Sequence, residues 1–126
     1  MNKPIFTADA PAPIGPYSQA VLAGKTLYCS GQIALDPKTG EFCPGAVEAQ
    51  TRVVCENLKA VLRSVEMTFS DVVKTTCFLV NMDDFARFNA VYGEYFISSP
   101  ARSCVAVKEL PKGALVEVEM IAKVQK

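Results

Sequence analysis

The sequence reads PARSCV at residues 100–105 and VEVE at residues 116–119. Valines at 105 and 107 and at 116 and 118 recur at every second position, which is the period of a β-strand. Because side chains alternate between the two faces of a strand, Arg102 and Cys104 share one face of the first strand. On the second strand, both glutamates point away from an unbroken apolar face. The pattern therefore predicts that an arginine and two carboxylates leave the buried side of one sheet.

These charged residues have an ordinary interpretation, which is a surface salt bridge between Arg102 and a glutamate. Such exposed pairs are common and contribute about 0–1 kcal/mol to stability. A functional interpretation instead places Arg102 and Glu117 in a cleft on the face of the sheet that the core does not use. The rest of the sequence favours the functional interpretation.

The composition is that of one globular domain, which we expect to span residues 1–126. Thirteen basic and thirteen acidic residues cancel, so the charge pattern of a nucleic-acid-binding protein is absent. No apolar run reaches the ~18 residues of a membrane span, and the N-terminal residues lack the apolar core of a signal peptide. These features predict a cytoplasmic protein with no membrane partner, and they disfavour a nucleic-acid partner while leaving a local basic patch open.

Histidine is absent, and five cysteines occur without a Cys-x-x-Cys pair. The absence of histidine excludes Cys-His and Ser-His-Asp catalysis and removes the commonest metal ligand. Free thiols are expected in a chain that lacks a secretory signal. Any acid–base chemistry must therefore use carboxylates, lysine, tyrosine, cysteine or water.

Hydrophobic periodicity predicts an α+β domain with the element order β-β-α-β-α-β-β. Three prolines and a glycine make residues 8–16 an irregular arm. Right-handed crossover connections place both helices on one face of the sheet. The predicted strands cover residues 17–22, 26–35, 72–81, 101–107 and 115–124, and the predicted helices cover residues 47–65 and 85–97.

The predicted strand at 72–81 carries large apolar residues on both of its faces. A solvated second face of an antiparallel sheet is normally polar, so we expect another copy of the chain to cover this one. The residues expected on or beside that face are Arg102, Cys104, Glu117 and either Ser30 or Gly31. A glycine inside a strand indicates a bulge or a close approach by another group, although simple packing tolerance explains Gly31 equally well.

Eight short motifs, in order along the chain, resemble those of the RidA/YjgF/YER057c/UK114 family of small imine deaminases. The resemblance implies a chorismate-mutase-like two-layer sandwich in which two helices cover one face of a mixed sheet. It also implies a homotrimer with the sheets facing inward, active sites in the clefts between subunits, and a last strand that lies between the strands at 26–35 and 72–81. The strand at 101–107 is then outermost. The motifs are IGPYS (14–18), SGQ (30–32), NL (57–58), DVVKTT (71–76), FNAVY (88–92), PARSCV (100–105), LP (110–111) and VEVE (116–119).

The resemblance further implies hydrolysis of reactive enamine and imine intermediates, such as 2-aminoacrylate, to 2-keto acids and ammonia, with no cofactor and no metal. By position, Arg102 matches the carboxylate-binding arginine of the family and Glu117 matches its water-orienting glutamate. The sequence departs from the family pattern in a short segment at 97–99 and in Ala106, where an acidic residue is frequent. The segment at 97–99 is expected to reshape one wall of the cleft. Further pocket residues implied by the resemblance are Tyr17, Ser30, Gly31, Asn89 and Cys104.

Elementary chemistry fits this role. A guanidinium group binds a planar carboxylate through two parallel hydrogen bonds, and the C=N carbon of an imine needs only an oriented water and a proton carrier. A covalent role for Cys104 is disfavoured because no histidine is available to form an ion pair with it. We expect one protomer to supply both Arg102 and Glu117 to each cleft. The alternatives are a non-catalytic ligand-binding or holdase protein and a ribonuclease or translation inhibitor.

Overall fold

The computed structural model describes residues 2–125, so residues 1 and 126 of the predicted domain lie outside the described part. One mixed six-stranded sheet has the strand order β1-β2-β3-β6-β4-β5, in which only β4 and β5 run parallel. The elements are β1 (Lys3–Ile5), β2 (Ala20–Ala23), β3 (Thr26–Gln32), α1 (Val47–Ser64), β4 (Val72–Leu79), α2 (Phe85–Tyr95), β5 (Ala101–Ala106) and β6 (Val116–Lys123), with short 3-10 turns at Phe69–Asp71, Met82–Asp84 and Pro111–Gly113.

This architecture confirms the α+β two-layer fold and the strand order implied by the family resemblance. The two helices pack on the sheet through one apolar cluster, in which Leu58 and Val61 of α1 and Phe88 of α2 are fully buried. From β6, Val116 and Val118 enter the same cluster. Burying each such side chain contributes about 1.5–3 kcal/mol. The apolar stripe of each helix therefore fixes which face of the sheet is covered.

The N-terminal part of the sheet differs from the predicted elements. The additional strand β1 pairs with β2 and places Pro4 in an edge strand, where a missing N–H is tolerated. Strand β3 ends at Gln32 rather than at residue 35, because Ile33 and Leu35 leave the sheet and pack against Ala114. No helix within the described residues is long and apolar enough to cross a membrane.

The second face of the sheet is open in a single chain. Tyr28, Val73 and Val105 are about half exposed, at 50%, 49% and 47%. Monomeric proteins rarely leave several large apolar side chains exposed on one sheet face, and such patches usually mark interaction sites. The prediction that β4 is apolar on both sides is confirmed, and the identity of the group that covers the open side remains a proposal.

Candidate active site

Arg102 lies on the helix-covered face of the sheet. In the parallel pair of β4 and β5, Arg102 is paired with Thr75 and Cys104 is paired with Cys77. Neighbours in register point to the same face, and both Thr75 and Cys77 are fully buried under the helices. The prediction that Arg102 and Cys104 share the open face with Glu117 is therefore wrong. A strand at the sheet edge can direct a long polar side chain under the helix layer and still leave its end near solvent.

Helix α2 supplies the surroundings of the guanidinium group. Nη1 of Arg102 donates a hydrogen bond to Oδ1 of Asn89 at 2.7 Å. The guanidinium carbon also lies 4.8 Å from the ring centroid of Tyr92 and 5.4 Å from that of Phe85. The structure thus brings together two of the predicted site residues, Arg102 and Asn89, and adds the aromatic rings of Tyr92 and Phe85, which were not among the predicted site residues.

A cavity of about 570 Å³ opens beside Arg102. Its wall includes Ile97 and Ser99, which belong to the short segment between α2 and β5, and Ile97 is largely exposed. The segment therefore forms part of the wall next to the arginine, as expected, and its effect on substrate preference remains a prediction. The complete lining is Tyr92, Gly93, Phe96, Ile97, Ser99, Pro100 and Arg102.

Glu117 lies on the opposite, open face of the sheet. It is paired with Phe78 of β4, whereas the alternate β6 residues Val116 and Val118 are completely buried. A second cavity of about 430 Å³ lies beside this glutamate and also includes Glu119. The predicted site residues that line it are Tyr17, Ser30, Gly31 and Glu117. The seven predicted residues therefore fall into two groups on the two sides of the sheet.

The Glu117 side chain lies so close to Gly31 that a Cβ atom there would fit only if the carboxylate moved. The β3–β6 register shifts between Cys29 and Gln32, which places the Gly31 backbone directly beside the glutamate side chain. A Cβ atom at position 31 would overlap Oε2 of Glu117 and lie only 2.9 Å from its Cδ. The predicted bulge and the predicted close approach are both confirmed, and simple packing tolerance is not the explanation.

The N-terminal arm frames the Glu117 cavity and is held by Gln19, which is almost completely buried. Its Nε2 donates to the carbonyl oxygens of Thr7 and Pro11 at 3.0 and 2.8 Å, and its Oε1 accepts from the Thr7 N–H at 2.7 Å. The Ser30 hydroxyl donates to the carbonyl oxygen of Ser18 at 2.6 Å. These bonds fix the segment that carries Tyr17.

Partial burial raises the pKa of the Glu117 carboxyl, and the nearby charge of Glu119 raises it further. The raised pKa makes the ionised carboxylate a stronger proton acceptor than an exposed glutamate. Because the pKa is higher in the folded than in the unfolded state, the favourable contribution of Glu117 to stability is present below the unfolded pKa. It is lost as the pH rises through the folded pKa. Charge burial at this position therefore costs stability at neutral pH.

The Cys104 thiol is poorly suited to nucleophilic attack. Burial raises its pKa, and the opposing effect of Arg102 is smaller. A thiol that stays protonated is a weak nucleophile, since the thiolate is the reactive species. Within residues 2–125, no group of three or more cysteine or carboxylate side chains is placed to hold a metal ion.

Comparison with known proteins identifies the family of the chain. The family model described as Endoribonuclease L-PSP matches residues 7–124. The chain belongs to the RidA/YjgF family. A RutC family protein of Pyrococcus horikoshii is 53% identical to this RidA/YjgF chain over 97% of it and 98% of the relative. The 2-iminobutanoate/2-iminopropanoate deaminase of Bos taurus is 46% identical over 97% of this chain and 90% of that protein. The crystal structure of Escherichia coli TdcF with bound serine superposes with a TM-score of 0.92 at 41% identity and covers 98% and 99% of the two chains.

Proposed function

We propose that this RidA/YjgF protein hydrolyses reactive 2-imino and enamine acids, such as 2-aminoacrylate, to 2-keto acids and ammonia. The observation that carries the proposal is the fixed guanidinium group of Arg102. Asn89 engages one of its five N–H donors, and the fork formed by Nε–H and Nη2–H is not used by that contact. A planar carboxylate fits this fork through two hydrogen bonds.

The reaction also needs a group that activates water, and Glu117 is the candidate. Because Arg102 and Glu117 lie on opposite faces of the sheet within one chain, we propose that each site combines Arg102 of one copy with Glu117 of a second copy. This arrangement replaces the expectation that one protomer supplies both groups. A closed ring of three copies with their open sheet faces turned inward satisfies it and covers the exposed apolar residues.

The proposed steps use only water and side chains. Arg102 binds the substrate carboxylate, and water adds through its oxygen to the C=N carbon while Glu117 accepts one of its protons. The imine nitrogen takes up a proton from solvent water, which gives a neutral carbinolamine. Glu117 then gives its proton to the nitrogen, the C–N bond breaks as the carbonyl forms, and the hydroxyl proton returns to the solvent, so that ammonia leaves with the 2-keto acid as co-product. The protein supplies orientation and proton transfer, which is a small catalytic demand.

Two relatives support this proposal. The bovine protein carries the name of the corresponding deaminase, and the TdcF structure contains serine, which is a small amino acid with a carboxylate. The test is the release of ammonia or keto acid from 2-aminoacrylate made in situ by a serine or threonine dehydratase. We expect the wild-type protein to accelerate this release and Arg102→Ala to abolish the acceleration. Release at the rate of buffer alone, beside an active known deaminase, would contradict the proposal.

A ribonuclease function is the second candidate because the matching family model carries an endoribonuclease description. The balanced charge and the absence of histidine disfavour it. Metal-independent RNA cleavage that persists in Arg102→Ala after repeated chromatography would reverse this ranking. A third possibility is a ligand-binding or holdase protein without turnover, and keto-acid binding without ammonia release would favour it.

A further inference from the structure

We infer that Tyr92 is a positioning residue for Arg102, anchored by Thr75 and assisted by Phe85. The inference rests on the proposed function for the task of Arg102, and it goes further by assigning what holds the guanidinium group in place. Asn89, from the sequence motif, fixes one edge of the group. Tyr92 lies within the FNAVY motif and Phe85 lies outside it, and neither the motif nor the charge pattern indicates that their rings contact Arg102.

The anchor is a closed set of contacts between the sheet and α2. Thr75 of β4 is completely buried and lies beside Arg102 of β5. The hydroxyl groups of Thr75 and Tyr92 are 2.7 Å apart, and burial raises the pKa of Tyr92, so its hydroxyl stays neutral. The Tyr92 ring in turn lies 4.8 Å from the guanidinium carbon. The strand residue next to Arg102 thus holds the ring that contacts Arg102.

The sequence spacing explains why three side chains of α2 meet at this point. Phe85, Asn89 and Tyr92 are separated by four and three positions, so they lie on one face of the helix. The ring of Phe96 stacks on the Tyr92 ring with a centroid distance of 4.3 Å. This contact restricts the tyrosine further. The rings therefore have fixed positions before any ligand binds.

This arrangement prepares the guanidinium group for its ligand. An arginine side chain loses substantial rotamer freedom when it binds a ligand, and holding it beforehand removes part of that cost. Contact with aromatic rings contributes through the ring quadrupole without using an N–H donor. The Nε–Nη2 fork therefore remains available for a carboxylate, while the rings and Asn89 set its direction.

The experiment measures binding of 2-oxobutanoate by calorimetry, together with kcat and KM for dehydratase-generated 2-aminoacrylate. Tyr92→Leu removes the ring, and we expect its Kd for 2-oxobutanoate to rise between about 2-fold and 30-fold. KM should rise in parallel, whereas kcat should change much less, because the carboxylate contact is made in both the ground state and the transition state. Tyr92→Phe keeps the ring and should remain closer to wild type than Tyr92→Leu.

Phe88→Leu is the matched control. Phe88 is completely buried on the same helix and contacts the Tyr92 ring with a centroid distance of 5.4 Å, so its loss lowers stability without removing a ring from Arg102. We expect a lower Tm with an unchanged Kd. Phe85 is only partly buried, so Phe85→Leu tests the second ring even if Tyr92→Leu does not fold, and its Kd should also rise.

An unchanged Kd in folded Tyr92→Leu and in Phe85→Leu would overturn the inference, as would an equal rise in Phe88→Leu. Wild-type protein that binds 2-oxobutanoate without releasing ammonia would overturn the proposed function. The Kd values of Tyr92→Leu and Phe85→Leu would then still decide the positioning inference. Wild-type protein that does not bind 2-oxobutanoate would overturn the inference, since Arg102 would then hold no carboxylate, whereas the proposed function is decided separately by ammonia release.

Discussion

Placement of Arg102 and Glu117 on opposite faces of one sheet predicts that inactive variants restore each other in mixed oligomers. Arg102→Ala and Glu117→Gln should each be inactive alone. In a mixed ring, a site is intact when its arginine comes from a Glu117→Gln copy and its glutamate comes from an Arg102→Ala copy. With equal amounts and random exchange, each condition is met with a chance of about one half, so about one quarter of the sites should be intact.

The assay follows ammonia release after the two variants have been mixed, mildly denatured and refolded together. Activity should rise from the background level to about one quarter of that of wild-type protein at the same total concentration. Mass spectrometry of differently tagged copies establishes that mixed oligomers have formed. An unexchanged mixture of the same two proteins provides the baseline and should remain inactive.

The matched control mixes wild-type protein with the double variant Arg102→Ala/Glu117→Gln. Before exchange, half of the copies are wild type, so about half of the sites are active in either arrangement. After exchange, sites shared between copies should fall to about one quarter, whereas sites contained in one chain should stay at about one half. No recovery in demonstrated mixed oligomers, together with a constant one half in the control, would refute the shared site.

Four further outcomes are expected from single substitutions. Gly31→Ala should fold but lower kcat/KM by roughly 100-fold, because the new methyl group displaces the Glu117 carboxylate by about 1 Å or more; wild-type kinetics would contradict this account. Glu119→Gln should move the acidic limb of the pH profile of kcat/KM to lower pH, because removing a negative charge lowers the pKa of Glu117; an unmoved limb would mean that Glu117 is not the base. Gln19→Leu should lower the free energy of unfolding by about 2–4 kcal/mol in urea titrations, because the N-terminal arm loses the hydrogen bonds that Gln19 makes. A change below about 0.5 kcal/mol would show that Gln19 does not hold the arm. Arg102→Lys should recover little deaminase activity, because an ammonium group cannot reproduce the planar fork, and near-normal activity would show that charge alone suffices.

The periodicity of the sequence was sufficient for most of the fold. The apolar stripe of α1 and the alternation in β6 each identify one buried face from local spacing alone, and both faces are buried as expected. The boundaries of β3 were less predictable, because Ile33 and Leu35 are apolar whether they continue a strand or pack in a separate small cluster. Short edge strands such as β1 have too few residues to show any period.

The candidate site was predictable in its residues but not in their arrangement. Gly31 gave a usable signal, because a glycine in a strand has few structural explanations, and the structure supplies the one that involves Glu117. Tyr92 lies in the FNAVY motif, but no sequence signal indicates its contact with Arg102, since an aromatic residue at helical spacing is normally core. In the structure Tyr92 is both core and a contact of Arg102. No residue pattern in the sequence indicates the role of Gln19, because its hydrogen-bond partners are backbone atoms of the arm.

The sequence by itself determined both helices, the strands β2 to β6 apart from their bounds, and the chemical groups that the chain can offer, because these depend on local spacing and on residue identity. Only the tertiary structure decided on which side of the sheet Arg102 lies. Alternation in β5 defines two faces, but it does not identify the covered one. The apolar side with Val105 is exposed in the single chain, whereas the side with Arg102 lies against α2. That choice follows from the packing of Phe85, Asn89 and Tyr92 over an edge strand, which brings together residues that are distant in sequence.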